Sequence, residues 1–109
     1  MTRAYVGLGA NLGDRETTLR RAVEQNLELV RRLDALVALG RPVLVGFSRK
    51  SSLGLILGDP TATVGTMPAS LGAAVAAFEH GASMLRVHDV LETVEALAIA
   101  AAVEGNAIA

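Results

Sequence analysis

The stretch PVLVGFSRKSSLG, residues 42–54, decides the fold because a buried strand and a polar loop meet within it. Residues 42–47 are continuously apolar rather than alternating, which is typical of a strand covered on both faces. Polar side chains fill the next five positions: Ser48, Arg49, Lys50, Ser51 and Ser52. Cationic side chains at the end of a buried strand either lie on the solvated surface or belong to a ligand site. The flanking sequence distinguishes these two interpretations.

Composition excludes several classes of protein. The chain has 109 residues, enough for a single small domain. Its net charge of −1 argues against general nucleic-acid binding. The absence of cysteine excludes disulfides, thiolate metal sites and a thiol nucleophile. No apolar run is long enough for a signal peptide or a membrane span, so we expect a cytoplasmic protein without a membrane partner.

Strand-like and helix-like segments alternate on both sides of the opening stretch. Three strands are predicted, at residues 4–9, 42–47 and 83–90. Three helices are predicted, at residues 14–39 with Gly40 as the stop, from Thr66 or Met67 to His80 with Gly81 as the stop, and at 90–103. In the second of these helices, Leu71, Val75 and Phe78 are expected to face inward. The alternation predicts an α/β fold, with a single domain over residues 1–109 of three βα units and a parallel three-stranded sheet. Three units are fewer than the eight of a closed barrel, so a barrel with this sequence would be a partial (β/α)₈ barrel.

The last predicted strand carries its own polar residues. Side chains alternate along a strand, so Arg86 and His88 point to one face while Leu85 and Val87 point to the other. Arg86 and His88 also lie at the C-terminal end, the edge where parallel α/β folds bind ligands. The alternative is that Arg86 forms an ordinary ion pair with Asp89 or a nearby glutamate.

Both polar segments follow parallel strands, so they should share one rim of the sheet. Lys50, Arg86 and His88 could then converge on an anion, since Arg offers a planar fork and Lys a point charge. Hydroxyl donors would come from Ser48, Ser51 and Ser52, and the glycines at 46 and 54 would let the backbone approach the ligand. The sequence therefore predicts an anion pocket at this rim.

The glycines of GLGANLG, residues 7–13, raise a separate alternative. They stand between a predicted strand and a predicted helix, which is where a dinucleotide-binding loop occurs. The spacing is one residue longer than in G-x-G-x-x-G, and glycines at such a turn also serve simple backbone geometry. Nucleotide binding here is the weaker interpretation.

Residues 26–103 resemble the C-terminal part of dihydropteroate synthase. The similarity lies in NLELVRRLDALVALGRPVLVGFSRKSSLG and GASMLRVHDVLETVEAL, with the S-R-K and R-V-H-D motifs in combination. The resemblance implies a (β/α)₈ barrel of folate biosynthesis that joins a dihydropterin pyrophosphate to p-aminobenzoate with loss of pyrophosphate. It implies no cofactor in the chain itself, and Mg²⁺ accompanying pyrophosphate.

The same resemblance assigns roles to individual residues. It implies that Lys50 hydrogen-bonds the pterin and that Arg86 stacks on the pterin ring and contacts phosphate. Ser51 would reach the p-aminobenzoate carboxylate, and His88 would line the anion pocket. Ser48 and Arg49 belong to the S-R-K motif and are included among the binding residues.

The N-terminal segment has a different resemblance. Residues 2–24 are similar to the start of hydroxymethyl-dihydropterin pyrophosphokinase, with a boundary near Glu24 and Gln25 inside one helical pattern. We therefore expect a chimera or an internal-deletion product. Because the early barrel strands of a synthase have no counterpart here, we expect no turnover by the chain alone. The alternative is a structural or engineered module without activity.

The predicted sheet also bears on assembly. Three parallel strands leave two open edges and one apolar face without a covering layer. We expect the chain to form a homo-oligomer for that reason. A doubly wound monomer, with helices on both faces of the sheet, is the competing arrangement.

Overall fold

The described part of the chain consists of five helices and two short strands. The computed structural model describes residues 15–59 and 61–105, so the strand predicted at 4–9 and the glycines of 7–13 lie outside it. In chain order the elements are α1 (Arg15–Arg31), α2 (Leu33–Val37), β1 (Leu44–Val45), α3 (Ser51–Ile56), α4 (Met67–Glu79), β2 (Met84–Leu85) and α5 (Val90–Val103).

The two strands pair in parallel, as predicted for this part of the sheet. Leu44 stands opposite Met84, and Val45 stands opposite Leu85. The Arg86 N–H donates to the Val45 carbonyl at 2.9 Å. Among the described residues the sheet has two strands rather than three, and both are shorter than predicted. Beyond Val45 the ladder gives way to other contacts: the Phe47 carbonyl accepts the Lys50 N–H of a turn at 3.2 Å, and the His88 N–H donates to the Ser48 Oγ at 3.2 Å.

The helix predicted at 14–39 is divided in two. Arg32 has φ −109° and ψ 21°, outside the helical region, and separates α1 from α2. This break turns Leu33 into the core, where only 1% of its surface is exposed. Gly40 follows α2 with φ +81°, a conformation that glycine adopts without steric cost, and ends the helical segment as predicted.

The core lies on one face of the sheet. Leu33, Val45, Ala77 and Ala82 form its buried centre, with half-buried residues packed around them: Leu36, Val43, Phe47 and Leu85. The opposite face is open, since Leu44 is 59% exposed and Met84 is 50% exposed. The described helices therefore cover one face, as in the outer layer of a barrel, and the doubly wound arrangement does not hold for the described residues.

The boundaries of α4 and α5 follow the sequence, but the buried face of α4 does not. Thr66 caps α4 by accepting the Ala69 N–H, and Pro68 lies in the first turn. Its buried residues are Ser70, Ala74 and Ala77, whereas the predicted Leu71, Val75 and Phe78 are half-buried. Ala77 packs in the core with Leu33 and Val45, and Ser70 and Ala74 lie beside the strands, so small side chains let this face of α4 approach the sheet closely. Helix α4 also contacts α5, which buries Thr93 and Ala100.

Candidate functional site

The polar segments after β1 and β2 lie side by side and continue the strand register. Gly46 lies next to Arg86, because a Cβ added to Gly46 would be 3.6 Å from the Arg86 Cβ. Two residues further on, the Ser48 Oγ lies 2.8 Å from the His88 Nδ1 and accepts the His88 backbone N–H at 3.2 Å. The segments that follow the two strands, residues 48–51 and 86–89, thus form one rim, which we call the S-R-K/H-D rim.

One position beyond Ser48 and His88, the register joins Arg49 to Asp89. The Arg49 Nη2 donates to the Asp89 Oδ1 at 3.1 Å. The predicted pairing of Arg86 with Asp89 is therefore wrong, because the register sets position 49, not position 86, beside position 89; pairing of Arg86 with a nearby glutamate stays a prediction. The other carboxylate oxygen of Asp89, Oδ2, is buried and has no hydrogen-bond partner among the described residues.

Lys50 and Ser51 begin the next element. Lys50 is the N-cap residue of α3 in an extended conformation, and Ser51 is the first residue of that helix. Both are half-buried. The S-R-K motif therefore spans the junction from rim to helix: Ser48 and Arg49 contact the β2 side, and Lys50 and Ser51 start α3.

Two residues predicted for the anion pocket, Ser52 as a hydroxyl donor and Gly54 as a site of close backbone approach, pack within the protein instead. Ser52 is buried and its Oγ accepts the Nδ2 of the buried Asn26 at 3.0 Å, so this hydroxyl ties α3 to α1. Gly54 is buried against Ala62 rather than open to a ligand. Both residues lie on the side of α3 that packs on the protein, which explains why the expected role in the anion pocket is wrong for them.

Ser70 was not predicted as part of the site. It comes from α4 and is buried, and its Oγ accepts the Arg49 backbone N–H at 2.8 Å. A serine on the inward face of an otherwise Ala-rich helix is the signal that could have identified it, because a buried hydroxyl requires a partner.

Other features of the described chain do not compete with the rim. A groove of about 870 Å³ runs along α1 and α2, is bordered by arginines and glutamates of mixed sign, and includes no residue of the S-R-K or R-V-H-D motifs. Across residues 15–59 and 61–105, no three carboxylate, imidazole or thiol groups lie together as a metal site. None of the described helices is long and apolar enough to cross a membrane.

Parallel strands backed by helices, with a basic and hydroxyl-rich rim at the strand C-termini, define an α/β domain of the kind that binds ligands at that edge. Residues 12–88 match the family model described as pterin binding enzyme. The chain belongs to that family.

Individual relatives agree with this assignment. The chain is 36% identical over 94 residues to the dihydropteroate synthase of Neisseria meningitidis serogroup B, and the match covers 85% of this chain and 30% of that protein. The Coxiella burnetii dihydropteroate synthase in complex with pteroic acid is 41% identical, with a TM-score of 0.66 over 76% of this chain and 29% of that one. The Thermus thermophilus dihydropteroate synthase in complex with 6HMPPP is 37% identical, with a TM-score of 0.68 over 82% and 43%.

These comparisons confirm the predicted likeness to dihydropteroate synthase. The chain spans about 30% of the length of the first curated relatives. The family match begins at residue 12, ahead of the boundary predicted near Glu24. The pyrophosphokinase likeness of residues 2–24, and with it the chimera, stays a prediction.

Proposed function

We propose that the S-R-K/H-D rim binds a dihydropterin pyrophosphate and forms one wall of a dihydropteroate synthase pocket of folate biosynthesis. The contact between Ser48 and His88, at 2.8 Å, carries this proposal because it joins the two motifs into one surface. Two of the similar structures are complexes with pteroic acid and with 6HMPPP, which supports a ligand of the pterin class here. We infer further that β1 and β2 are neighbouring strands of a (β/α)₈ barrel.

The roles follow from the chemistry of the rim. Arg86 is exposed beside Gly46, so its guanidinium can reach a ring or a phosphate in front of the sheet. If the Ser48 hydroxyl donates to the His88 Nδ1, the imidazole keeps its proton on Nε2, which is the donor that a phosphate oxygen needs. Lys50 would hydrogen-bond the pterin, and Ser51 would hydrogen-bond the carboxylate of p-aminobenzoate. Arg49 would support the rim through its ion pair with Asp89.

Binding by this wall alone should be weak. Two charge-assisted hydrogen bonds contribute about 1.5–3 kcal/mol each, or about 3–6 kcal/mol before the cost of association. Because about 4 kcal/mol corresponds to a dissociation constant of 1 mM, we expect millimolar affinity for pyrophosphate. Mg²⁺ would accompany pyrophosphate rather than occupy a site of its own.

The chain spans about 30% of its relatives' length, which favours a second candidate, a structural module without activity. The two candidates differ in an anion titration followed by amide NMR. We expect pyrophosphate to shift the amides around residues 48–51 and 86–88, and we expect Lys50→Ala combined with Arg86→Ala to abolish those shifts.

Arg31→Ala is the matched control, because Arg31 is an exposed arginine on α1, paired with Glu28. It should leave the titration unchanged. Shifts that survive the double substitution, or that Arg31→Ala removes equally, would contradict a rim site and favour the structural module.

A further inference from the structure

Arg49 adopts a backbone conformation that its side chain does not favour. Its φ is +58°, and it is the one non-glycine residue with positive φ among the described residues. A left-handed conformation brings the Cβ of an L-amino acid too close to the following carbonyl oxygen, so neighbouring groups have to maintain it. Glycine would take this conformation freely but could not form the ion pair with Asp89.

Three contacts hold Arg49 in place: one with the first turn of α4, one with the segment that leads into α4, and one with Asp89. The Arg49 N–H donates to the Ser70 Oγ at 2.8 Å, and the Arg49 carbonyl accepts the Gly65 N–H at 3.0 Å. The guanidinium supplies the third contact through Asp89 at 3.1 Å. A side chain at position 65 would not fit, because its Cβ would lie 2.7 Å from the Lys50 carbonyl oxygen.

Ser70 is oriented for this contact by a second hydrogen bond. Its hydroxyl donates to the Thr66 carbonyl at 2.8 Å, within the first turn of α4. Since a serine hydroxyl has a single hydrogen, the Oγ lone pairs remain available to the Arg49 N–H. Ser70 is 7% exposed, so the pair is shielded from competing water. Ser48, Ser70 and Arg86 all line one small pocket between the strands and α4.

We propose that Ser70 is a positioning residue, which holds Arg49 in the left-handed conformation and thereby fixes Ser48 relative to Lys50. Arg49 stands between these two residues, so its backbone angles decide how the rim hydroxyl and the lysine are presented together. The inference rests on the proposed function for its effect on binding. Its effect on the backbone of residue 49 is measurable without a ligand.

The test is a double-mutant cycle on the full chain, with Ser70→Ala, Arg49→Gly and the double variant. Ser70→Ala should weaken pyrophosphate binding about fivefold to tenfold, which is the range that a single hydrogen bond supports. In the Arg49→Gly background, Ser70→Ala should weaken pyrophosphate binding by less than about twofold, because glycine adopts the left-handed conformation without support from Ser70. Amide hydrogen exchange at residue 49 should accelerate in Ser70→Ala, with chemical-shift changes at Ser48 and Lys50.

Controls separate positioning from stability. Thr66→Ala removes the α4 cap but keeps the Thr66 carbonyl, so it should lower stability without accelerating exchange at residue 49. If Ser70→Ala does not fold, Ser70→Cys, with a weaker acceptor of similar size, replaces it. Equal effects in both backgrounds, or unchanged exchange at residue 49, would overturn the positioning role. An unmodified chain that does not bind pyrophosphate would overturn the proposed function, and exchange at residue 49 would still decide the role of Ser70.

Discussion

At the scale of single residues, Asp59 shows how local hydrogen bonds set the ionisation of a side chain. Its Oδ1 accepts the Thr61 hydroxyl at 2.7 Å and the Thr61 backbone N–H at 3.0 Å. These donors, the hydroxyl first, hold the pKa of Asp59 below its ordinary value because they favour the ionised carboxylate. The stabilisation is therefore present above the ordinary pKa and is lost as the pH falls through the lowered pKa.

Thr61→Val should raise the pKa of Asp59 toward its ordinary value. The substitution removes the hydroxyl donor and leaves the backbone N–H, so we expect part of the lowering to remain. An NMR titration of the Asp59 carboxyl carbon measures the change. Thr63→Val, at an exposed threonine of the same loop, is the control and should leave the titration as it is. An unaltered Asp59 titration in Thr61→Val would contradict this account.

Part of the candidate site follows from the sequence at this scale. The strand alternation predicts that Arg86 and His88 share a face, and the structure places both on the exposed side. Ser52 could not be assigned in advance, because three serines in one loop are chemically equivalent until a helix turns one of them inward. Ser70 was missed because the hydrophobic pattern of α4 favours Leu71, Val75 and Phe78 as the inward face, and a serine among alanines becomes a signal only once the buried face is known.

At the scale of secondary structure, α3 depends on close packing more than on its own sequence. It has six residues with a glycine at position 54, a composition that weakens a helix, and this is why the sequence did not predict it. Tertiary contacts compensate: the hydrogen bond between Asn26 and Ser52 fastens α3 to α1, and Gly54 lies directly against Ala62.

Gly54→Ala should therefore destabilise the fold by about 1–3 kcal/mol, because the added methyl group collides with the Ala62 Cβ. Gly72→Ala is the matched control. Gly72 lies in α4 with nothing within 4 Å of an added Cβ, so alanine there should stabilise by about 0.5–1 kcal/mol. Denaturant midpoints measure both changes. Adding Ala62→Gly to Gly54→Ala should restore much of the loss, and the absence of any rescue would count against the packing argument.

The inward face of α4 explains another limit of prediction at this scale. The positions of hydrophobic side chains predict which face of a helix is buried only when the opposite face is polar. In α4, residues on most sides are apolar or small, so Leu71 and Val75 seemed equivalent to Ala74 as core positions. This face of α4 packs on α2 and the strands, and the close approach favours the small residues Ser70, Ala74 and Ala77, which a count of hydrophobicity ranks lower.

At the scale of the whole molecule, we expect the open face of the sheet to govern association. Leu44 and Met84 stand opposite each other across the two strands, and both are at least half exposed. Further apolar side chains are exposed on α5: Val90, Leu91, Val94, Ile99 and Val103. Exposed apolar surface of this kind favours self-association when no other layer covers it.

We expect light scattering across a dilution series to give a mass above 11.3 kDa that falls on dilution. Met84→Lys should shift the population toward the monomer, because a charge in the middle of the open face opposes its burial. Leu39→Lys, at a residue that is exposed beyond α2, should not. A single 11.3 kDa species at high protein concentration would contradict the predicted oligomer.

The contact between Ser48 and His88 has an entropic consequence. These residues are 40 positions apart in the chain, and closing a loop of that length costs roughly 3 kcal/mol from the length term alone. The two hydrogen bonds between Ser48 and His88 contribute about 1 kcal/mol each and the exposed ion pair about 1 kcal/mol or less, so these contacts at best balance the closure and leave no surplus. The pairing of β1 with β2 just ahead of the rim, and the packing of α3 and α4 inside the loop, have to supply the net stability. The rim is therefore only as persistent as the strand pair and the helices that bring its two halves together.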